Sequence, residues 1–482
     1  MNKRMMLYIC GVMLALEAGF MLLPVVTALI YGESAGWVFA AVALAAGLAG
    51  LAAIRFSRPK TKTIYAKEGL LTVALCWVLI SLVGALPFTL CGEIPSYIDA
   101  VFEMVSGFTT TGASILTNVE ALSRCTLFWR SFSHWLGGMG VLVFMMAILR
   151  MEGGQTIHLL RAESPGPTVA KMVPRMADSS KILYGIYLLL TATEVLFYLA
   201  GGMPLFDSLC HAFGTAGTGG FGIKSDSFTS YSPYLQWVTT IFMLLFGVNF
   251  SVYFFLLRKK FDLAWKNTEL RWYTAIVAGA VLLITLNTAG LDMYSGLSEA
   301  FRHAAFSVSS IITTTGYGTA DFNLWPEFSR MILVLLMCIG ACAGSTGGGF
   351  KVSRLIILAK SARAELRRLM HPHTVKVLTM DGKRIGQDTV QATANYLIVY
   401  VMVTVISILL ISLDNFDTTT TITSVVATFN NIGPGLGLVG PTGNYAAFSP
   451  MSKIVFCFTM LLGRLELYPM LALMLPSAWK KD

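Results

Sequence analysis

The stretch IITTTGYGTADF, Ile311 to Phe322, places small hydroxyl residues and two glycines in a chain that is otherwise apolar. Three further segments match it when aligned on one glycine. They are YIDAVFEMVSGFTTTGAS (Tyr97–Ser114), LFDSLCHAFGTAGTGGFG (Leu205–Gly222) and TTTTITSVVATFNNIGPGLG (Thr418–Gly437), and the third copy in full runs Leu297–Gly318. The shared position is Gly112, Gly220, Gly316 and Gly433. Phe102 and Phe306 precede it by ten residues in copies one and three, and Asp99 and Asp207 by thirteen in copies one and two. Copy four diverges most.

Each copy lies between two long apolar runs. The chain is 55% hydrophobic and 13% charged, with a mean hydropathy of +0.68. Runs of about 20 apolar residues cross the hydrocarbon of a bilayer. Two leading spans, Met5–Tyr31 and Trp37–Ile54, are followed by four pairs. The first members are near Gly69–Leu90, Ile182–Gly202, Tyr273–Asn287 and Ala392–Leu413; the second are near Thr126–Leu149, Leu235–Leu257, Met331–Ala359 and Lys453–Leu475. About ten spans and four half-helices result: an all-α polytopic membrane protein in four membrane–pore–membrane repeats. The expected units are residues 1–62, 63–165, 166–262, 263–385 and 386–482. The first apolar stretch is too long for a cleavable signal peptide.

Charge gives the orientation. The net charge is +9, and 28 of the 35 basic residues gather before the first span, in Arg55–Lys67, Arg150–Lys181, Arg258–Arg271 and Lys351–Arg384, and at the end. The positive-inside rule puts these loops and both termini in the cytoplasm. Topology thus accounts for the basic excess, which gives nucleic-acid binding little support. The opposite loops carry Glu93, Asp99, Glu103, Asp207, Asp226, Asp292, Glu299, Asp321, Asp414 and Asp417, an outer face expected to concentrate cations. The eight cysteines are scattered and form no CxxC pair, so they read as core residues. No nucleophile–base constellation suggests an enzyme.

Non-helical backbone at membrane depth is tolerated only where it is buried in protein or lines a polar cavity. A short helix that enters and returns as extended chain, with glycine supplying the turn, aims successive carbonyls at one axis. The third copy is similar to the TVGYG filter of potassium channels, in which such carbonyls replace an ion's water. A fourfold channel uses four chains; here the four copies lie in one.

Four further motifs, SHWLGGMG (Ser133–Gly140), GACAGSTGGGFK (Gly340–Lys351), NNIGPGLG (Asn430–Gly437) and GRLELYP (Gly463–Pro469), extend the likeness along the chain. With them the sequence resembles the TrkH/KtrB/HKT superfamily of potassium transporters, and its two extra N-terminal spans look like the TrkH branch. The resemblance implies a bacterial cytoplasmic-membrane protein, a homodimer, a cytosolic ring of nucleotide-binding RCK subunits of the TrkA type, and no covalent cofactor. Nucleotide is expected only on that partner, and K⁺ is the transported ion. The implied potassium sites fall on Thr110, Thr111 and Gly112; Thr218, Gly219 and Gly220; Thr314, Thr315 and Gly316; and Asn431, Ile432 and Gly433. Ala113, Phe221 and Pro434 stand where copy three has Tyr317, so a filter less selective than a fourfold channel's is expected.

The run Gly344–Gly349 misses the phosphate-loop pattern by one position and lies mid-span. Its glycines must break the helix. The resemblance makes this an intramembrane gating loop: Gly344, Ser345, Thr346, Gly347, Gly348 and Gly349, with Lys351 at its cytoplasmic end and Arg464 lining the constriction. For Lys351 the other reading is an interface anchor, and for Arg464 a structural arginine paired with Glu466 or backbone. Gly137–Gly140 reads as close helix packing. His134 and His211 read as packing residues, and His371 and His373 as a weak metal candidate. The basic amphipathic stretch after Lys360 reads as a headgroup or regulatory-ring contact. The alternative mechanism is symport of K⁺ with Na⁺ or H⁺ by alternating access, for which inverted repeats and paired mid-membrane carboxylates are the usual signs.

Overall fold

The computed structural model describes residues 2–59, 65–140, 176–291, 293–371 and 377–480. Among these, six helical stretches are long and apolar enough to cross a membrane: Lys3–Tyr31, Ala35–Phe56, Lys67–Leu90, Lys181–Ala200, Thr268–Ala289 and Gln387–Asp414. They are the two leading spans and the first member of each repeat. Their lipid-side residues, such as Leu44, Leu189, Leu282 and Leu409, stay exposed on the isolated chain.

A short helix follows in every repeat: Tyr97–Phe108, Leu205–Gly217, Leu297–Ile312 and Thr418–Phe429. At 1.5 Å per residue these reach roughly 18–24 Å, short of the roughly 30 Å hydrocarbon. Their starts are set locally. Ser96 accepts the amide of Asp99, and the Asp417 carboxylate accepts that of Thr420 at 2.9 Å. Asp99, Asp207 and Glu299 lie in the first turn, where negative charge suits the helix dipole. Each helix ends against the protein interior, so its partial negative end points inward.

The second member of each repeat departs from a continuous span. The first stops at Gly138, and the part expected beyond Gly140 lies outside the described residues. The second bends by 91° between Pro233–Phe246 and Phe250–Leu257. The third is split into Glu327–Met337 and Val352–Met370, and the fourth into Pro450–Arg464 and Leu467–Met474. Steric pressure from the short helices explains the level of these breaks. A Cβ on Gly137 would lie 1.9 Å from the Phe108 carbonyl oxygen, and one on Gly463 would lie 2.0 Å from that of Phe429. A Cβ on Gly247 would likewise lie 2.7 Å from the Thr313 methyl. Asn249 then restarts its helix by accepting the amide of Ser251 at 2.9 Å.

Candidate functional site

Beyond each short helix the chain takes the same unusual turn. Thr110, Thr218, Thr314 and Asn431 are left-handed, with φ of 55°, 54°, 61° and 55°. Two residues on, Gly112, Gly220, Gly316 and Gly433 are left-handed as well, at 76°, 77°, 89° and 91°. A β-branched residue in this region is a genuine outlier, costing on the order of 1–3 kcal/mol. Three threonines hold it because the surrounding packing fixes them; all three are fully buried.

The four turns close on one another in sequence order. A Cβ on Gly112 would lie 2.0 Å from the carbonyl oxygen of Gly219, and one on Gly220 would lie 1.9 Å from that of Thr315. One on Gly316 would lie 2.1 Å from the oxygen of Ile432, and one on Gly433 would lie 2.6 Å from that of Thr111. Each repeat therefore abuts the next, and the fourth returns to the first. All twelve residues singled out in the sequence are brought together here. A cavity of about 110 Å³ opens above them and touches all four glycines.

Side chains behind the turns hold the ring. The Arg130 guanidinium donates to Glu103 at 2.5 Å and to the Gly222 carbonyl at 2.9 Å, and its charged end lies 3.6 Å over the Phe221 ring. Glu103 in turn accepts from Ser114 Oγ and the Ile115 amide, each at 3.0 Å. His134 bonds the Gly107 carbonyl through Nδ1 at 2.7 Å and accepts the Phe221 amide at Nε2 at 3.2 Å. Tyr317 donates to the carbonyls of His211 and Phe221 at 3.2 and 3.3 Å. Tyr445 donates to the Gly433 carbonyl at 2.8 Å. Asn431 Nδ2 reaches Thr111 Oγ1 at 3.0 Å and the Met460 carbonyl at 2.9 Å. The packing role expected of His134 and His211 is what the structure shows.

Under the ring, residues 338–351 form a pinned loop rather than helix. Glu269 accepts the amides of Ala343 at 2.7 Å and Ser353 at 3.0 Å, tying the loop and the start of the helix after it to the helix Thr268–Ala289. The Gly348 amide donates to Thr314 Oγ1 at 2.7 Å, and Thr346 Oγ1 to the Phe246 carbonyl at 3.2 Å. Arg464 is buried. It donates to the Thr346 carbonyl at 2.7 Å, to the Gly138 carbonyl at 2.6 Å and to the Gly137 carbonyl. The last repeat is thereby laced to the loop of the third and to the helix end of the first. Glu466 pairs with Arg354. Lys351 is no interface anchor: it is 1% exposed and folds back to donate to the Gly347 carbonyl.

Asp99, Glu103, Asp207 and Glu299 all lie on the short helices. Among the described residues, no carboxylate lines the cavity above the ring; its formal charges are Arg130 and Lys224. Glu103 is buried against Arg130, and Asp99 pairs with Lys453 at 2.6 Å. Asp207 accepts from Tyr231, and Glu299 lies beside Arg302 and His303. No group of three or more His, Cys, Asp or Glu able to hold a metal occurs among the described residues; His373 lies outside them.

Residues 38–481 match the profile of the TrkH family, described as cation transport protein. The chain belongs to the TrkH family. The Trk system potassium uptake protein TrkH of Salmonella typhimurium is 36% identical over the full length of both chains. TrkG of Escherichia coli, another Trk system potassium uptake protein, is 32% identical over 99% of each. The crystal structure of the potassium transporter TrkH from Vibrio parahaemolyticus superposes with a TM-score of 0.90 at 32% identity, covering both chains fully. Membership in the TrkH family makes this a multi-pass membrane transport protein, in keeping with its long apolar helices.

Proposed function

We propose that this chain takes up potassium ions across the bacterial cytoplasmic membrane, both termini inside, through the ring of main-chain carbonyls around Gly112, Gly220, Gly316 and Gly433. The observation that carries the reading is the closed circuit of approaches, each ring glycine against a carbonyl of the next repeat. Carbonyl oxygens in such a ring replace the hydration of a weakly hydrated cation, and the inward negative ends of four short helices favour its charge. Movement is channel-like and down the electrochemical gradient, worth about 2.3 kcal/mol per charge per 100 mV.

The loop Gly344–Gly349 with Lys351 and Arg464 is the gate. Arg464 holds the loop to two other repeats, and its charge opposes a cation waiting beneath the ring. The family relatives named as Trk system potassium uptake proteins support the choice of ion. A cytosolic nucleotide-binding RCK subunit of the TrkA type is the expected regulator, and a homodimer the expected assembly.

The test is a scan in reconstituted vesicles. Gly112, Gly220, Gly316 and Gly433 are each changed to Ser while Rb⁺ and Na⁺ uptake are followed. All four variants should lose uptake or its preference for Rb⁺. Unchanged selectivity in any two of them would remove the ring from the pathway.

A further inference from the structure

Among the described residues, the cavity above the ring has one cationic side chain, Lys224, that no carboxylate pairs with directly. Arg130 is paired with Glu103. The Lys224 ammonium instead sits 4.3 Å over the Tyr231 ring and 3.3 Å from Ser230 Oγ, without an ion pair among the described residues. The nearby acids take other donors, Glu120 the Ser225 amide at 3.0 Å and Asp207 the Tyr231 hydroxyl at 3.3 Å; they keep their charge but form no ion pair with Lys224. Asp226, two residues on, is exposed.

Lys224 is also held in place. Its turn is clamped to repeat one, where the Val119 amide donates to Ser225 Oγ at 3.3 Å. It is clamped to repeat three as well, where the Gly318 amide donates to Ser227 Oγ at 3.1 Å. The side chain is half-buried and lies four residues past Gly220. A fixed positive charge at the entrance of a narrow polar cavity repels an arriving cation, and the repulsion is felt over a Debye length.

We propose that Lys224 is an affinity-setting residue of the entrance, a fixed charge that lowers the local concentration of cations above the ring and so sets the half-saturating concentration for uptake. This rests on the transport reading above. It concerns the acquisition of the ion, not its passage, so the maximal rate should change little.

The experiment uses the full chain in vesicles of uncharged lipid, with Rb⁺ as the probe. Wild type is compared with Lys224→Arg, Lys224→Gln and Lys224→Glu at ionic strengths of about 0.01 M and about 1 M, where the Debye length falls from about 30 to about 3 Å. At low ionic strength Lys224→Gln should lower the half-saturating Rb⁺ concentration roughly three- to tenfold. Lys224→Glu should lower it further, Lys224→Arg should match wild type, and the differences should collapse at high ionic strength. An unchanged value in Lys224→Gln overturns the inference. So does a shift that ignores salt, or one that Lys224→Arg shares, because either marks lost packing on Tyr231. If Lys224→Glu does not fold, Lys224→Gln alone decides. A chain that carries no Rb⁺ either as wild type or with Arg464→Gln overturns the transport reading and this inference together; a wild type that carries it, with variants that match, overturns this one alone.

Discussion

Arg130 and Glu103 meet 2.5 Å apart in a buried pair, although 27 positions separate them in the chain. Each then reaches onward, Glu103 to the outer limb of the first turn and Arg130 to that of the second. Two quarters of the ring are thus propped by one ion pair.

Removing one partner leaves the other charged and buried, which costs about 3–5 kcal/mol. Glu103→Ala should therefore lower the thermal unfolding temperature in detergent and reduce the preference for Rb⁺ over Na⁺. A stable variant with intact selectivity would show that the pair does not hold the ring.

Tyr317 is a smaller strut. Its hydroxyl spans from the third turn to the carbonyls of His211 and Phe221 in the second repeat. Tyr317→Phe keeps the ring packing and deletes about 0.5–1.5 kcal/mol of hydrogen bonding. Selectivity between Rb⁺ and Na⁺ should fall a fewfold with little loss of stability, read from paired uptake measurements.

At the proposed gate, Arg464 contributes charged hydrogen bonds to carbonyls of Thr346, Gly137 and Gly138. Such bonds are worth about 1.5–3 kcal/mol each. Arg464→Gln should raise basal Rb⁺ uptake about tenfold or more without regulator, since both the tether and the opposing charge are lost. Uptake equal to wild type would take Arg464 out of the gate.

Gly347 faces the third turn closely; a Cβ there would lie 2.9 Å from the Thr313 carbonyl oxygen and 2.7 Å from Ala341 Cβ. Gly347→Ala should displace the loop and change open probability in single-channel recordings while leaving the ion preference unchanged. Stepwise openings in those recordings would also exclude alternating access, whose cycle is far slower than a channel's flux.

The ring glycines were legible because one pattern recurs four times between apolar runs, and a repeated exception to hydrophobicity is hard to produce by packing alone. The left-handed threonines were not legible. Thr110, Thr218 and Thr314 are poor choices for that conformation, and only Asn431 carried a residue type suited to it. The interrupted second helices were legible only in the third repeat, where five glycines crowd ten positions. Gly247 and Gly463 stand singly in apolar runs, and what breaks the helix beside them is a short helix end contributed from elsewhere in the chain. The props from Arg130, His134 and Tyr317 are long-range pairings of ordinary residues, with no local signature. For Lys351 the sequence left two readings open, since a lysine near a span end usually snorkels; only its bond to the Gly347 carbonyl, invisible in the sequence, separates them.

A circuit closed within one polypeptide lets each quadrant be altered by itself. In an assembly of four identical chains, a point mutation arrives fourfold and the outcome is all or none. Here one, two, three or four glycines can be replaced in turn, so the ion choice proposed for the ring can be followed as a graded curve against its symmetry. The Asn431–Ile432 quadrant, already unlike the others in side chains, keeps the same left-handed pair of backbone positions.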